Sequence, residues 1–434
     1  LWSGSGKTTI AKITESKYIK EVVVVVCVAP TGLASLNFEV NGDTGHHMFD
    51  LPVDDDAHGK PCPINSRCEM HSLRADFLRR VDIIIWDELA NQNRYCVEAT
   101  HDLLCDLMAI PADRRPAMPF AGKVVIGLMD FRQIAPVVPN GSREEVYKAT
   151  ICCSWLWRAT AELKCLQQSQ RDKQDPLYAR FVLDIGNDHH QKYKLRCSAW
   201  SDIGGGPTLC TSTYSDMIRI PTKVDLKHPE RAQLQLKHSN KVTECLQFAF
   251  GAELQEDFVG KPAAERLAIA TRLAKSAVLA TLNRVVDEVN HAALSVLPGA
   301  SNVMRSATSL ADTKMSAEKL LYTQEYLNGL RPKNIPPHEL ELKIGALVMF
   351  TRNLSREEKQ MNGSKGIVIG VPNPFLLHML MLPSGELTTI RRISFYFMDG
   401  NIKIKRSQFP IRVAFAISSN KSQGQTLLKV VYDI

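Results

Sequence analysis

The 434-residue chain has no apolar stretch long enough to cross a bilayer as a helix. Its longest such run, residues 22–30, falls far short of the roughly 20 residues a membrane span requires. Nothing at the start has the layout of a signal peptide, so a soluble intracellular protein with no membrane partner is expected. Cysteine occurs eleven times, yet there is no C-x-x-C pair, which argues against a disulfide framework. His58, Cys62, Cys68 and His71 sit close together, but their spacings fit no common zinc site, and a polar loop that happens to carry them is the favoured reading. His46-His47 and His189-His190 also read as loop residues. A strong excess of either charge is missing too: net charge is +7, with 23% charged residues of both signs. That mild basic balance suits a nucleic-acid partner without requiring one.

Apolar residues make up 44% of the chain, enough for two or three real cores. At its very start stands Ser3-Gly4-Ser5-Gly6-Lys7-Thr8-Thr9. In the pattern G-x-x-x-x-G-K-[ST], Gly4 and Gly6 let the backbone curl until successive N–H groups, through Ser5 to Thr9, surround a phosphate. Lys7 then reaches the outer phosphates, and the Thr8 hydroxyl is placed to ligate Mg²⁺. Residues 10–13 continue as a helix whose positive end faces the anion. Leu1 stands at the first glycine of the pattern, and the strand that should lead into the loop is missing, so a fragment is expected.

Such a loop needs a distant acidic partner. Val81-Asp82-Ile83-Ile84-Ile85-Trp86-Asp87-Glu88 is an almost continuously apolar run, as in a strand buried on both faces of a parallel sheet. It delivers two carboxyl groups at its C-terminal end, where open α/β sheets place their ligands. Asp87 would hold the Mg²⁺ through water, and Glu88 would orient or deprotonate the attacking water.

The β-branched run 21–28 is the clearest strand; it leads into Ala29-Pro30-Thr31-Gly32-Leu33-Ala34, a turn able to approach a nucleic-acid backbone. Thr44, His46 and Phe49 could bind phosphate and stack a base, or form an ordinary loop. Helices are expected over 70–81 and 95–108, and a third buried strand over 123–128 leads to Asp130-Phe131-Arg132-Gln133. Gln133, just past a strand end, could read whether a γ-phosphate is present. This alternation makes residues 1–160 one doubly wound α/β domain.

A second domain, 161–434, opens with a strand and turn over 163–171. Arg171 could reach from it to stabilise charge on the γ-phosphate; an exposed ion pair is the alternative. Further strands are expected at 277–281 and 413–417, with a helix at 285–297 between them. Short strands at 345–350, 366–370 and 376–382, with those near 395–397 and 402–405, suggest a small antiparallel barrel inserted at about 345–408. Last comes Ser418-Ser419-Asn420-Lys421-Ser422-Gln423-Gly424-Gln425-Thr426, dense in hydrogen-bond donors, before an apolar strand over 427–434.

With these motifs placed, the sequence resembles the petite-integration-frequency family of superfamily-one DNA helicases, most of all the helicase region of Helitron transposons. The specific pieces are Trp86-Asp87-Glu88 with Arg94-Tyr95, Asp130-Phe131-Arg132-Gln133 with Pro136-Val137-Val138-Pro139, Asn362-Gly363 with Gly366, residues 340–353, and 406–426. The resemblance implies two RecA-like P-loop domains with an SH3-like barrel inserted in the second. It implies ATP-driven, 5′-to-3′ movement on single-stranded DNA, opening duplex at junctions, in repair, recombination, telomere maintenance or transposition.

By motif match, Lys7 and Thr8 bind ATP and Mg²⁺, Asp87 and Glu88 serve metal and water, Gln133 senses the γ-phosphate, and Arg171 is an inter-domain arginine finger. Thr31, Gly32, Thr44 and His46 fall in segments that line the DNA groove. Asn420, Lys421, Ser422, Gln423 and Gly424 join that groove to the nucleotide cleft. A monomer in the nucleus is implied, with the mitochondrion as the other compartment. Departures are Leu1, Met129 where relatives carry glycine, and an end before the motif that supplies a second arginine finger. They motivate the alternative of an inert transposon-derived relic that binds DNA without turnover. A P-loop kinase for a small molecule is a third reading, but it leaves the Gln133 and 420–426 motifs unused.

Overall fold

The computed structural model describes residues 5–38, 42–52, 63–133, 135–138, 141–160, 162, 164, 166, 241–311, 322–332, 335–400 and 402–432. They fall into two compact units: residues 31–36 group with the part from 241 onward, and the rest form the first unit. The division expected at 160/161 adjoins residues outside the described ones, and Gly4, His58, Cys62 and Arg171 are themselves outside them.

The first unit is built on a parallel sheet of order β2-β1-β3-β4, with β1 Val25–Ala29, β2 Gly42–Thr44, β3 Ile83–Trp86 and β4 Val124–Gly127. Side chains alternate across the two faces. Val26, Val28, Ile84 and Trp86 join a core with Ala75 and Leu78 of α4 (Leu73–Arg80) and Val97, Leu103 and Leu104 of α5 (Arg94–Leu107). Val25, Cys27, Ile83 and Ile85 turn the other way, onto Ala11 of α1 (Lys7–Lys20) and Phe38. Burial on both faces explains why these strands read as unbroken apolar runs. The run at 21–28 is shorter as a strand than expected, because α1 continues to Lys20 and Val22 takes a left-handed turn (φ 61) in solvent. The helix read at 70–81 begins only at Leu73, since the Ser72 hydroxyl accepts from Ala75 N and caps it.

The second unit has its own parallel sheet, β16-β5-β17, formed by β5 Ser276–Ala280, β16 Ala416–Ser418 and β17 Lys429–Tyr432. Helices Val242–Phe250, Ala263–Ala274 and Asn283–Val296 supply Leu246, Phe250, Leu273, Val289 and Ala293 to its core. Between these strands lie antiparallel sheets. One is ordered β12-β11-β10-β9-β15, with β9 Leu347–Phe350, β10 Lys365–Asn373, β11 Leu376–Met381, β12 Leu387–Arg391 and β15 Ile411–Val413. Another is β13-β14-β7, with β7 Ala307–Leu310, β13 Ile393–Asp399 and β14 Ile402–Gln408; a two-stranded pair joins Asn302–Arg305 to Glu339–Leu342. The barrel expected at about 345–408 is therefore seen as separate antiparallel sheets that recruit strands on both sides of that range. The strand expected at 413–417 is split: β15 pairs with β9 and β16 with β5, so the chain passes from one sheet to the other at Ala414-Phe415.

Two buried polar residues fix β14. Arg406 is wholly buried and donates to Thr308 Oγ1, Leu327 O and Pro336 O, and Gln408 donates to Met304 O and His338 O. Lys365 is buried as well, its Nζ 3.1 Å from the last carbonyl of helix Ala263–Ala274. Burial pulls its ammonium down from the usual 10.5 to about 8. Between those values the unfolded chain holds a proton that the folded one has released, so stability rises as pH climbs through the window; below it, the cost of burying the charge is carried in full. Thermal unfolding of the second unit should therefore gain roughly 3 kcal/mol between pH 7.5 and 10.5 relative to a Lys365→Met variant, which lacks the titrating group. Parallel pH profiles of the two proteins would show the idea wrong.

Candidate active site

Because β1, β3 and β4 run parallel and in step, with Val28 beside Trp86 and Trp86 beside Gly127, their C-terminal ends form one edge. The bonds Asp87 N to Val28 O (2.8 Å) and Leu128 N to Trp86 O (2.8 Å) carry that alignment past the strand ends. Helix α1 begins beside this edge. Its N-cap is Gly6, at φ 89, a left-handed conformation that glycine adopts without steric cost. No side chain caps the helix, so the first-turn N–H groups of Lys7, Thr8 and Thr9 remain for an anion. Ser5 is buried with its Oγ unpartnered.

The side chains converge from three elements. Lys7 is buried, and its Nζ lies 3.6 Å from Asp130 Oδ2, just past β4. Gln133 Nε2 donates to the same Oδ2 at 3.2 Å. Thr8 Oγ1 donates to Asp87 Oδ2 at 3.5 Å, while Asp87 Oδ1 accepts from Glu88 N at 3.0 Å. Burial raises the Asp87 carboxyl above its usual range, opposed by the Glu88 N–H, the Lys7 charge and the Thr8 hydroxyl. Glu88 itself takes a left-handed conformation (φ 49, ψ 38). For a residue with a Cβ that is a strained backbone, a feature that collects at functional sites. Lys7, Thr8, Asp87, Glu88 and Gln133 thus meet at one edge. Asp130, named from sequence within its motif but given no role there, joins Lys7 to Gln133. Its signal was its place after a strand parallel to the one ending in Asp87.

These residues fit a nucleotide with its divalent cation. An uncapped helix start with a buried ammonium and an unpartnered hydroxyl is a phosphate cradle, and a long Thr8–Asp87 contact joins two oxygen donors of the kind Mg²⁺ takes. Among the described residues there is no group of three or more His, Cys, Asp or Glu side chains able to hold a metal.

The expected DNA-contacting residues stand on other elements, Thr44 closing β2 beside Ala29. Thr31 caps a short helix, Gly32–Ser35, accepting from Ala34 N, and Thr44 caps Gly45–Met48, accepting from His47 N. A Cβ on Gly32 would stand 2.5 Å from Asn353 Oδ1 and push aside an oxygen that accepts from Asn362 N. Gly363, at φ 96, lies against Leu33, which gives the Asn362-Gly363 turn a packing role. The His46 imidazole sits 3.5 Å from Cys96 Sγ, and burial lowers its pKa, keeping it neutral. In the second unit, Asn420, Lys421 and Ser422 form a helical turn after β16, with Gln423 and Gly424 following. Burial, with Arg412 nearby, pulls the Lys421 ammonium down to about 8. Arg94 is structural, donating to Cys153 O and covering the Tyr95 ring.

Comparison with known proteins completes the picture. The model of the PIF1-like helicase family matches residues 2–191, and that of the DNA helicase Pif1 2B domain matches 325–371. The ATP-dependent DNA helicase PIF1 of Candida albicans is 22% identical over 475 residues, 100% of this chain and 49% of its own length. That of Danio rerio is 37% identical over 90 residues, 20% of this chain and 14% of its own. The chain thus spans at most about half the length of these curated relatives.

Among solved structures, Pif1 helicase from Bacteroides in complex with ADP-AlF3 and ssDNA superposes with a TM-score of 0.60 at 17% identity, covering 99% of this chain and 80% of that one. Pif1 helicase from Candida albicans gives 0.56 at 19%, covering 100% and 84%. The shared fold is α/β with two RecA-like domains. The two family matches together take in more than half of the chain, and it belongs to the PIF1-like helicase family.

Proposed function

We propose that the chain is an ATP-dependent DNA helicase that moves 5′ to 3′ along single-stranded DNA and opens duplex at junctions. The observation that carries this reading is the convergence of Lys7 and Gln133 on Asp130, beside the Thr8–Asp87 contact. It supplies a cradle for the outer phosphates and a side chain that feels their presence. Relatives named ATP-dependent DNA helicases, and a Bacteroides Pif1 structure holding ssDNA, support the choice of reaction and strand.

In this reading Gly4, Ser5, Gly6 and Thr9 wrap the phosphates with backbone N–H groups, and Lys7 balances charge as it builds on the transferring group. Thr8 and Asp87 would hold Mg²⁺, which supplies further neutralisation of the phosphate oxygens. Glu88 orients the attacking water and takes its proton. Gln133 reports the γ-phosphate, Arg171 would be the arginine finger of the reaction, and Gln423 and Gly424 would be further nucleotide contacts. Thr31, Gly32, Thr44, His46, Asn420, Lys421 and Ser422 face the DNA backbone. His46, being neutral, would donate a hydrogen bond and not a charge. The domains would be 1–160 and 161–434, and the protein a nuclear monomer.

The test is strand displacement on duplexes with a 5′ or a 3′ single-stranded tail, with ATP turnover followed in parallel. Unwinding from the 5′ tail alone, with DNA-stimulated turnover, is expected. Unwinding only from the 3′ tail would reverse the assigned polarity, and DNA binding without turnover would mark a relic.

A further inference from the structure

The outer face of sheet β13-β14-β7 belongs to none of the motifs above. Side chains on these strands alternate. Phe395, Ile402, Ile404, Arg406 and Thr308 are buried, while Ser394, Tyr396, Met398, Lys403 and Ser309 are exposed, with Lys405 half-buried among them. Registers pair Met398 with Lys403, Tyr396 with Lys405, and Lys405 with Ser309, so these residues occupy one contiguous surface. Tyr396 is 52% exposed and Met398 59%, an unusual cost for a sheet already paired on both sides of β14. The Lys403 Nζ lies 5.2 Å from the Tyr396 ring centroid, a cation–π contact that steadies the ring on the surface. Among the described residues no Asp or Glu shares the face.

We propose that this face is an accessory binding platform for single-stranded DNA, Tyr396 stacking a base while Lys403 and Lys405 meet the phosphates on either side. Charge complementarity selects the occupant: two lysines without a carboxylate favour a polyanion. An exposed aromatic ring on the strand beside them suits an unpaired base, which a duplex does not offer. Serines 309 and 394 add hydroxyl donors for backbone oxygens. The proposal rests on the helicase reading only in taking DNA as the ligand. The face lies on elements distinct from the helical turn carrying Asn420, Lys421 and Ser422.

The experiment is fluorescence anisotropy of a labelled oligo-dT with the full chain, without nucleotide, for the native protein, Tyr396→Ala, Tyr396→Phe and the Lys403→Ala/Lys405→Ala pair. Tyr396→Ala should weaken binding about tenfold and Tyr396→Phe should restore it, since stacking needs the ring and not the hydroxyl. The lysine pair should lower the slope of log affinity against log salt by about 1.4, for two lost phosphate contacts. Basal ATP turnover without DNA and the melting temperature should not move in any of these variants, which separates this test from that of the motor. Unchanged affinity in Tyr396→Ala overturns the platform while leaving the helicase reading standing. Tighter binding of oligo-rU than oligo-dT would assign the face to RNA. A Tyr396-dependent change in sedimentation would assign it to a second copy of the chain. Either result overturns the proposal as stated.

Discussion

Replacing Lys7 by alanine should slow DNA-stimulated ATP turnover by about 10³-fold, the scale on which removing one preorganised charge from a buried phosphoryl-transfer site acts. The structure makes the experiment harder than it looks. Lys7 and Asp130 form a buried pair, so deleting the lysine leaves the Asp130 carboxyl with only the Gln133 and Arg132 N–H groups, and breaking a buried pair costs up to about 3–5 kcal/mol. A poorly folded Lys7→Ala protein would lose turnover for the wrong reason. Lys7→Ala combined with Asp130→Asn removes both partners and should recover the melting temperature but not the rate. Turnover within tenfold of native in a folded double variant would end the assignment of Lys7 to the phosphates.

Glu88→Gln should lower turnover by about 10²–10⁴-fold, the range expected when a general base is lost, while nucleotide still binds. Glutamine keeps the length and the left-handed backbone of the native residue, so the φ of 49 is imposed equally on both and folding is not the variable. Binding of a fluorescent ATP analogue, measured beside phosphate release, distinguishes the roles. A variant that loses binding together with turnover would make Glu88 part of the cradle, and one that loses neither would move the base elsewhere.

How much of this could be read from the sequence depended on how local each feature is. The glycine loop and Trp86-Asp87-Glu88 are contiguous patterns, and the strand ending at Trp86 and the helix beginning at Lys7 lie where those patterns point. Asp130 was harder. Its link to Lys7 spans more than a hundred positions and exists only because β4 lies parallel to β3, in a register that apolar periodicity does not encode. Arg406 and Gln408 were hidden for a related reason. Alternation along Ile402-Lys403-Ile404-Lys405 implies a half-solvated strand, yet Arg406 follows the apolar phase inward, because backbone carbonyls from Leu327 and Pro336 wait there to receive it. The split at Ala414-Phe415 was illegible because both halves are equally apolar, and only pairing partners separate them. The arginine expected to complete the site, Arg171, falls outside the described residues.

The strand edge gathers Asp87 and Asp130 around the buried ammonium of Lys7, with Glu88 next in the chain. Among the described residues there, acidic groups therefore outnumber the ammonium before any substrate arrives, and a bare triphosphate approaching them would meet net repulsion. Entry is electrically reasonable only for a polyphosphate that brings its own counterion, so chelating divalent cations should abolish association itself and not merely the reaction that follows.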